Sequence, residues 1–392
     1  MTGAGAGWWS DRAVTRRAAL AGLSRLAAGS ALAVRPSSAR AGAGTAAAPD
    51  FVRADDPRLT VEGRTAPGPD GALRVGYPGV ALRFRADAPR VTLRVTASSE
   101  DCYVDVVVGD GATAAGAPRR VPLARGAQEL VLHDGAAGRR TFEVLKRTES
   151  WQGTLEVAGI GGVGSIEPVP LPARRLLFVG DSITCGASSD VPDASSTEDG
   201  AQTSDGAKSF GRVLAARLGA ACHLVGYGGR GVIRDWRGIR DVANAPVFYE
   251  RAMPDDAATP WDHRRFVPHG VGVCLGTNDF NQGVPDENEF VNAYVEFLRK
   301  MTRDAPDAPV FVIDSPIVAD TPALGHRATI LRDYLDEVVR RVDEGSAGAR
   351  VRRAHVGHYP GRRVNSHPIA SEHVAMAREL EPQFRAALGW ER

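Results

Sequence analysis

At 392 residues the chain is long enough for two domains, because single cores stop growing near about 250–300 residues. A formal net charge of +1 and only 6% aromatic residues give no basic, aromatic-interleaved surface, so nucleic acid is not an expected partner. No stretch approaches the ~18 consecutive apolar residues of a membrane-spanning helix, so none is expected. The cysteines Cys102, Cys185, Cys222 and Cys274 contain no Cys-x-x-Cys pair, which speaks against a zinc knuckle or a dithiol redox site. Cys222 and Cys274 lie inside apolar runs and read as small buried hydrophobes, although the sequence is also compatible with a disulfide.

Residues 1–48 read as an export segment. Thr15-Arg16-Arg17-Ala18-Ala19-Leu20 resembles a twin-arginine motif ahead of a stretch rich in Ala, Leu and Gly, and the small residues Ala39–Ala48 suit a signal peptidase. The expectation is a secreted protein; the alternative is an Ala/Gly-rich tail with chance arginines.

Residues 49–168 carry strand patterns. Val80, Leu82 and Phe84 alternate with Arg83 and Arg85, and Val91, Leu93 and Val95 with Thr92 and Arg94; Cys102, Val104, Val106 and Val108 keep the same period, as do Phe142 and Val144. Turn signals such as Gly68-Pro69-Asp70-Gly71 and Gly109-Asp110-Gly111 separate the runs. Short alternating strands without helices predict an antiparallel β-sandwich. Ile160-Gly161-Gly162-Val163-Gly164 and Pro168, Pro170 and Pro172 read as a linker into a second domain at 169–392. There the apolar runs Leu176–Val179, Cys222–Val225, Val271–Leu275 and Val310–Ile313 alternate with helical patterns at Gly206–Leu218, Phe290–Met301, Ile330–Val342 and Ser371–Leu388. That alternation predicts an α/β domain with a parallel sheet covered by helices on both faces, and ligands in such sheets bind beyond the carboxyl ends of the strands.

The candidate chemistry sits at those ends. Ser182, in Gly180-Asp181-Ser182, follows the first strand and could serve as a nucleophile or merely cap a helix. Asn278, in Gly276-Thr277-Asn278-Asp279, follows the Val271 strand and offers an amide donor for an oxyanion, or stabilises a turn. Gly229, in Tyr227-Gly228-Gly229-Arg230-Gly231, allows a backbone N–H to approach substrate. His367, in Ser366-His367-Pro368, stands just before the last helix. His355-x-x-His358 has no third ligand at a fitting spacing, and no metal or cofactor is expected.

In this order the blocks resemble those of the SGNH (GDSL-type) hydrolases. The resemblance implies a flavodoxin-like fold, Ser182 as nucleophile, His367 as base, and an oxyanion hole of Ser182, Gly229 and Asn278. The family usually has Ser-Gly where this chain has Gly228-Gly229, and an aspartate three residues before the histidine, where this chain has Val364. A Ser–His dyad is therefore expected, with a backbone carbonyl orienting His367; Glu372 and Asp314 are the candidates for a displaced acid. Three further segments, Gly63-Arg64-Thr65, Lys146-Arg147-Thr148-Glu149 and Trp261-Asp262-His263-Arg264-Arg265-Phe266, make the chain similar to carbohydrate esterase family 2. That family places a jelly-roll-like β-sandwich before its SGNH domain, and it implies removal of O-acetyl groups, preferentially 6-O on hexose, from acetylated plant polysaccharide. Trp236 and Phe280 are candidates to stack on a sugar ring or to pack within the loops. Competing expectations are a carbohydrate-binding or cell-wall protein that has lost turnover, and a lipase or thioesterase of the same fold.

Overall fold

The computed structural model describes residues 51–111, 116–163, 166–344, 350–362 and 364–391; the expected export segment lies outside them. The first half contains β1 (Phe51–Arg53), β2 (Thr60–Glu62), β3 (Ala66–Pro67), β4 (Leu73–Val75), β5 (Ala81–Asp87), β6 (Arg90–Ala97), β7 (Tyr103–Gly109), β8 (Arg119–Pro122), β9 (Gly126–Asp134), β10 (Arg139–Lys146), β11 (Leu155–Gly161) and β12 (Ile166–Pro168). They form two antiparallel sheets. One has the order β3-β4-β11-β6-β9 with β1 on β11, the other β12-β5-β10-β7-β8 with β2 on β5. The alternating apolar residues fill the space between them, and Phe84 and Phe142, opposite each other in register, stack with centroids 4.9 Å apart.

Part of the expected linker is strand. Ile160 and Gly161 belong to β11, which pairs with β1, β4 and β6 in the first sheet, and Ile166–Pro168 forms β12 at the edge of the other. Gly159 explains the misreading. It sits at a register shift with φ 152°, and a Cβ there would press into the β1 backbone, so the glycines mark a bulged strand and not a flexible joint.

The second half contains β13 (Arg174–Gly180), α1 (Ser182–Cys185), α2 (Phe210–Arg217), β14 (Ala220–Gly226), α3 (Ala245–Phe248), β15 (Gly270–Cys274), α4 (Thr277–Asn281), α5 (Glu287–Asp304), β16 (Val310–Ile313), α6 (Arg327–Asp343), β17 (Val351–Ala354) and α7 (Ala370–Leu388). The sheet order is β14-β13-β15-β16-β17, every pairing parallel. Leu177, Val179, Val271, Val273, Val310 and Val312 point to the face that α5 and α6 cover. Leu176, Phe178, Phe311 and Ile313 point to the other, against α2 and α7. Helices thus cover both faces, as the continuous apolar strands predict.

The apolar core under α5 and α6 runs on without interruption into the sandwich. All four cysteines are buried and free.

Candidate active site

β13 delivers Ser182 to the sheet edge through a tight corner. Asp181 caps α1 by accepting the Ile183 N–H at 3.0 Å, and Gly186 closes the short helix in the left-handed region at φ 73°. Burial pushes the Asp181 carboxyl up to about 7, against the pull of that N–H. Ser182 is the first residue of the helix, so its own N–H has no acceptor within the helix.

His367 Nε2 lies 2.7 Å from Ser182 Oγ. On the other side of the ring, Nδ1 is 2.5 Å from the backbone carbonyl of Asn365 and 2.9 Å from its side-chain Oδ1. With the Nδ1 proton given to these oxygens, the Nε2 lone pair faces the serine hydroxyl. The loop is bent for this purpose. Ser366 takes φ 28°, unusual for a residue with a Cβ, while its N–H holds the Arg362 carbonyl at 2.8 Å, and the Asn365 carbonyl is turned back onto the next ring. Asn365 Nδ2 donates to Ser188 Oγ at 2.6 Å, which leaves Oδ1 for the imidazole. Val364, where the family pattern has an acid, is exposed. Asp314 instead pairs with Arg353 and with His355 Nδ1 at 3.0 Å. Glu372 accepts the Ile369 N–H at 2.8 Å at the start of α7. Burial lowers the His367 pKa below its ordinary 6.5; the Asn365 carbonyl opposes this and Arg362 adds to it. Asn365 was not singled out by its sequence, where an asparagine two residues before the histidine has no distinctive signature.

Tyr227-Gly228-Gly229-Arg230 forms a four-residue turn closed by Arg230 N–H to the Tyr227 carbonyl at 3.2 Å. Gly229, its third residue, has φ 74°, which this turn requires and glycine supplies. Asn278 is buried, and its Nδ2 donates to Asp181 Oδ2 at 3.1 Å and to the Arg230 carbonyl at 3.0 Å, tying the serine corner to the glycine turn. Asp279 holds the rest of the loop, accepting the N–H groups of Val232, Ile233 and Arg234 at 2.8–3.3 Å. Trp236 is half-buried beside the turn and donates its N–H to the Gly229 carbonyl at 2.9 Å. Phe280 corrects an expectation. It is wholly buried and meets Phe290 and Tyr334 edge-on in the core, so it has no face for a sugar.

The three segments beyond the hydrolase blocks all lie where the halves of the chain meet. Arg64 is buried, donates to the Tyr249 and Arg251 carbonyls, and lies 4.9 Å over the Trp261 ring. Arg147 pairs with Asp105 at 2.7 Å, with Asp205 at 3.1 Å and with Asp190. Lys146 donates its ammonium to the Thr148 carbonyl and, at 3.3 Å, to that of Glu149. Glu149 Oε2 accepts the Gly228 N–H at 2.6 Å.

Residues 61–172 match the "Carbohydrate esterase 2 N-terminal" family and 178–365 the "GDSL-like Lipase/Acylhydrolase family". The chain is 33% identical over 344 residues to an acetylxylan esterase / glucomannan deacetylase of Cellvibrio japonicus, covering 86% of this chain and 91% of that protein. It is 26% identical to the cellulase/esterase CelE of Acetivibrio thermocellus, over 86% of this chain and 40% of that longer protein. A solved family two carbohydrate esterase from Cellvibrio japonicus superposes with a TM-score of 0.79 at 33% identity, over 87% of this chain and 98% of that one. With both halves matched in this order and nearly the whole relative covered, the chain belongs to the family 2 carbohydrate esterases and is a carboxylic ester hydrolase.

Proposed function

We propose that the chain removes O-acetyl groups from carbohydrate through an acetyl-serine intermediate. The contact of 2.7 Å between His367 Nε2 and Ser182 Oγ, with Nδ1 held by Asn365, carries this reading. His367 Nε2 takes the hydroxyl proton while Oγ attacks the acetyl carbonyl carbon. The tetrahedral oxyanion faces the N–H groups of Ser182 and Gly229 and the Asn278 amide. Among the described residues the Gly229 N–H has no acceptor, which suits that role. Asn278 is already bonded to Asp181 and Arg230, so it would share a proton with the oxyanion without swinging free. The carbon–oxygen bond to the sugar breaks as His367 returns the proton to the leaving hydroxyl. Water then attacks the acetyl-serine, His367 accepts its proton, and acetate leaves as Ser182 is reprotonated. No metal or cofactor enters any step.

The names of the Cellvibrio japonicus relative point to acetylated xylan and glucomannan as substrates, and Trp236 is the proposed contact for a sugar ring. Secretion belongs to the same proposal and rests on Thr15–Leu20. The test is acetate release from acetylated xylan, acetylated glucomannan and a long-chain acyl ester, side by side with Ser182→Ala. Acetate from a polysaccharide, abolished in the folded variant, is expected. Preference for the long-chain ester would make the chain a lipase, and turnover by Ser182→Ala would remove the nucleophile assignment.

A further inference from the structure

Three consecutive peptide groups decide where the Gly229 N–H points. The first, Tyr227–Gly228, is fixed by Gly228 N–H on Glu149 Oε2 at 2.6 Å. The third, Gly229–Arg230, is fixed by the Trp236 N–H on the Gly229 carbonyl at 2.9 Å. The second, which carries the Gly229 N–H, is held between them. Glu149 does not belong to the α/β half at all; it follows β10 of the sandwich and is 1% exposed. Burial raises the pKa of its carboxyl, and the Cys185 thiol, the Gly228 N–H and the Trp151 side chain oppose that rise. Its backbone is fixed too, with its N–H on Gln152 Oε1 at 2.9 Å and its carbonyl on Lys146 Nζ.

The carboxyl also accounts for the missing serine. Gly228 has no positive φ, so its backbone would accept a side chain. A Cβ there, however, would have all three atoms of the Glu149 carboxyl within 2.9 Å. Acceptor and glycine therefore form one fitted pair.

We propose that Glu149 is a positioning residue of the esterase site: the sandwich reaches across to hold the Gly228–Gly229 turn so that the Gly229 N–H faces the acetyl oxyanion. This rests on the ester hydrolysis proposed above. The sandwich is then a working part of the site, beyond any role in binding polymer.

Glu149→Leu fills the volume and removes the acceptor, whereas Glu149→Gln keeps an oxygen for Gly228. On an acetyl ester the Leu variant is expected to lose about 10–100-fold in kcat with KM within about 2-fold, below the full cost of removing an oxyanion donor, and Gln to recover most of the loss. Gly228→Ala should cost much less in a Glu149→Ala background than in the native chain, because the clash is gone. Amide hydrogen exchange across 226–231 should quicken in the Leu variant and not in the Gln variant. A Leu variant with native kcat and native exchange overturns the proposal, as does a Gln variant impaired as badly as Leu. If the native chain releases no acetate from any ester, the esterase reading fails, and the exchange rates alone decide whether Glu149 holds the turn.

Discussion

At the scale of single residues, the proposed site has one imidazole and, among the described residues, no acid bonded to its Nδ1. An aspartate at Nδ1 would stabilise the imidazolium and raise its pKa, whereas a carbonyl and an amide oxygen fix ring orientation and tautomer with less charge. Asn365 supplies both oxygens, and the bend at Ser366 brings them to the ring. The consequence is a pH profile. A general base must be neutral to accept a proton, and burial lowers the His367 pKa from 6.5. The acid limb of kcat/KM on an acetyl ester is therefore expected below pH 6.5, with activity rising through that limb as pH increases. A limb at or above the ordinary histidine value would mean that a negative charge reaches the ring. The sequence disclosed Ser182 and His367 because each sits in a short, distinctive block at a strand or helix end. From the missing acid it led to a backbone carbonyl as the orienting group, but not to Asn365, because a backbone carbonyl has no letter of its own. Phe280 was misassigned for the related reason that an aromatic just after a catalytic block reads alike whether it points to the cleft or to the core.

Among the secondary-structure elements, α7 carries a clear test of what Glu372 does. Its carboxylate accepts the Ile369 N–H at 2.8 Å across the first turn, half of a reciprocal cap, since isoleucine has no acceptor to return. Glu372→Ala is expected to cost about 1 kcal/mol of stability, roughly 1–3 °C in Tm for a chain of this size, with kcat essentially unchanged. A loss near 10⁴ in kcat, the cost of neutralising a triad acid, would restore Glu372 as the partner of His367. The elements themselves were legible wherever burial is one-sided or complete: the alternating sandwich strands, the apolar strands β13 to β16, and the amphipathic α5 and α6. β17 was not, because it lies at the edge of the sheet and its middle residues, Arg352 and Arg353, are half-exposed. β11 was hidden by the glycines of its bulge.

For the molecule as a whole, the sheets of the sandwich and the parallel sheet belong to one compact unit with a shared apolar core. The Lys146–Glu149 segment helped identify the family in the sequence, but its physics was invisible there, because the charged partners of Arg147 and the Gly228 partner of Glu149 are distant in the chain. Arg147 shows what that segment does: it is 3% exposed and sits among Asp105, Asp190 and Asp205, one from the sandwich and two from the α/β half. Burial pushes Asp205 up to about 6, and Arg147 is the strongest influence against that rise. Arg147→Ala removes the cation and leaves buried carboxyls facing one another, a change that costs about 3–5 kcal/mol in comparable buried pairs. With Arg147 gone, the folded-state pKa of Asp205 climbs further above its unfolded value of 3.8. The folded chain then holds a proton that the unfolded chain has already released, and its stability falls as pH rises through that window. The variant should therefore melt in one transition, below the native chain, with the gap in Tm wider at about pH 8 than at about pH 5. Scanning calorimetry at the two pH values decides it. Two separated transitions would show that the halves fold independently, and a gap that narrowed with rising pH would show that Arg147 does not hold these carboxylates charged.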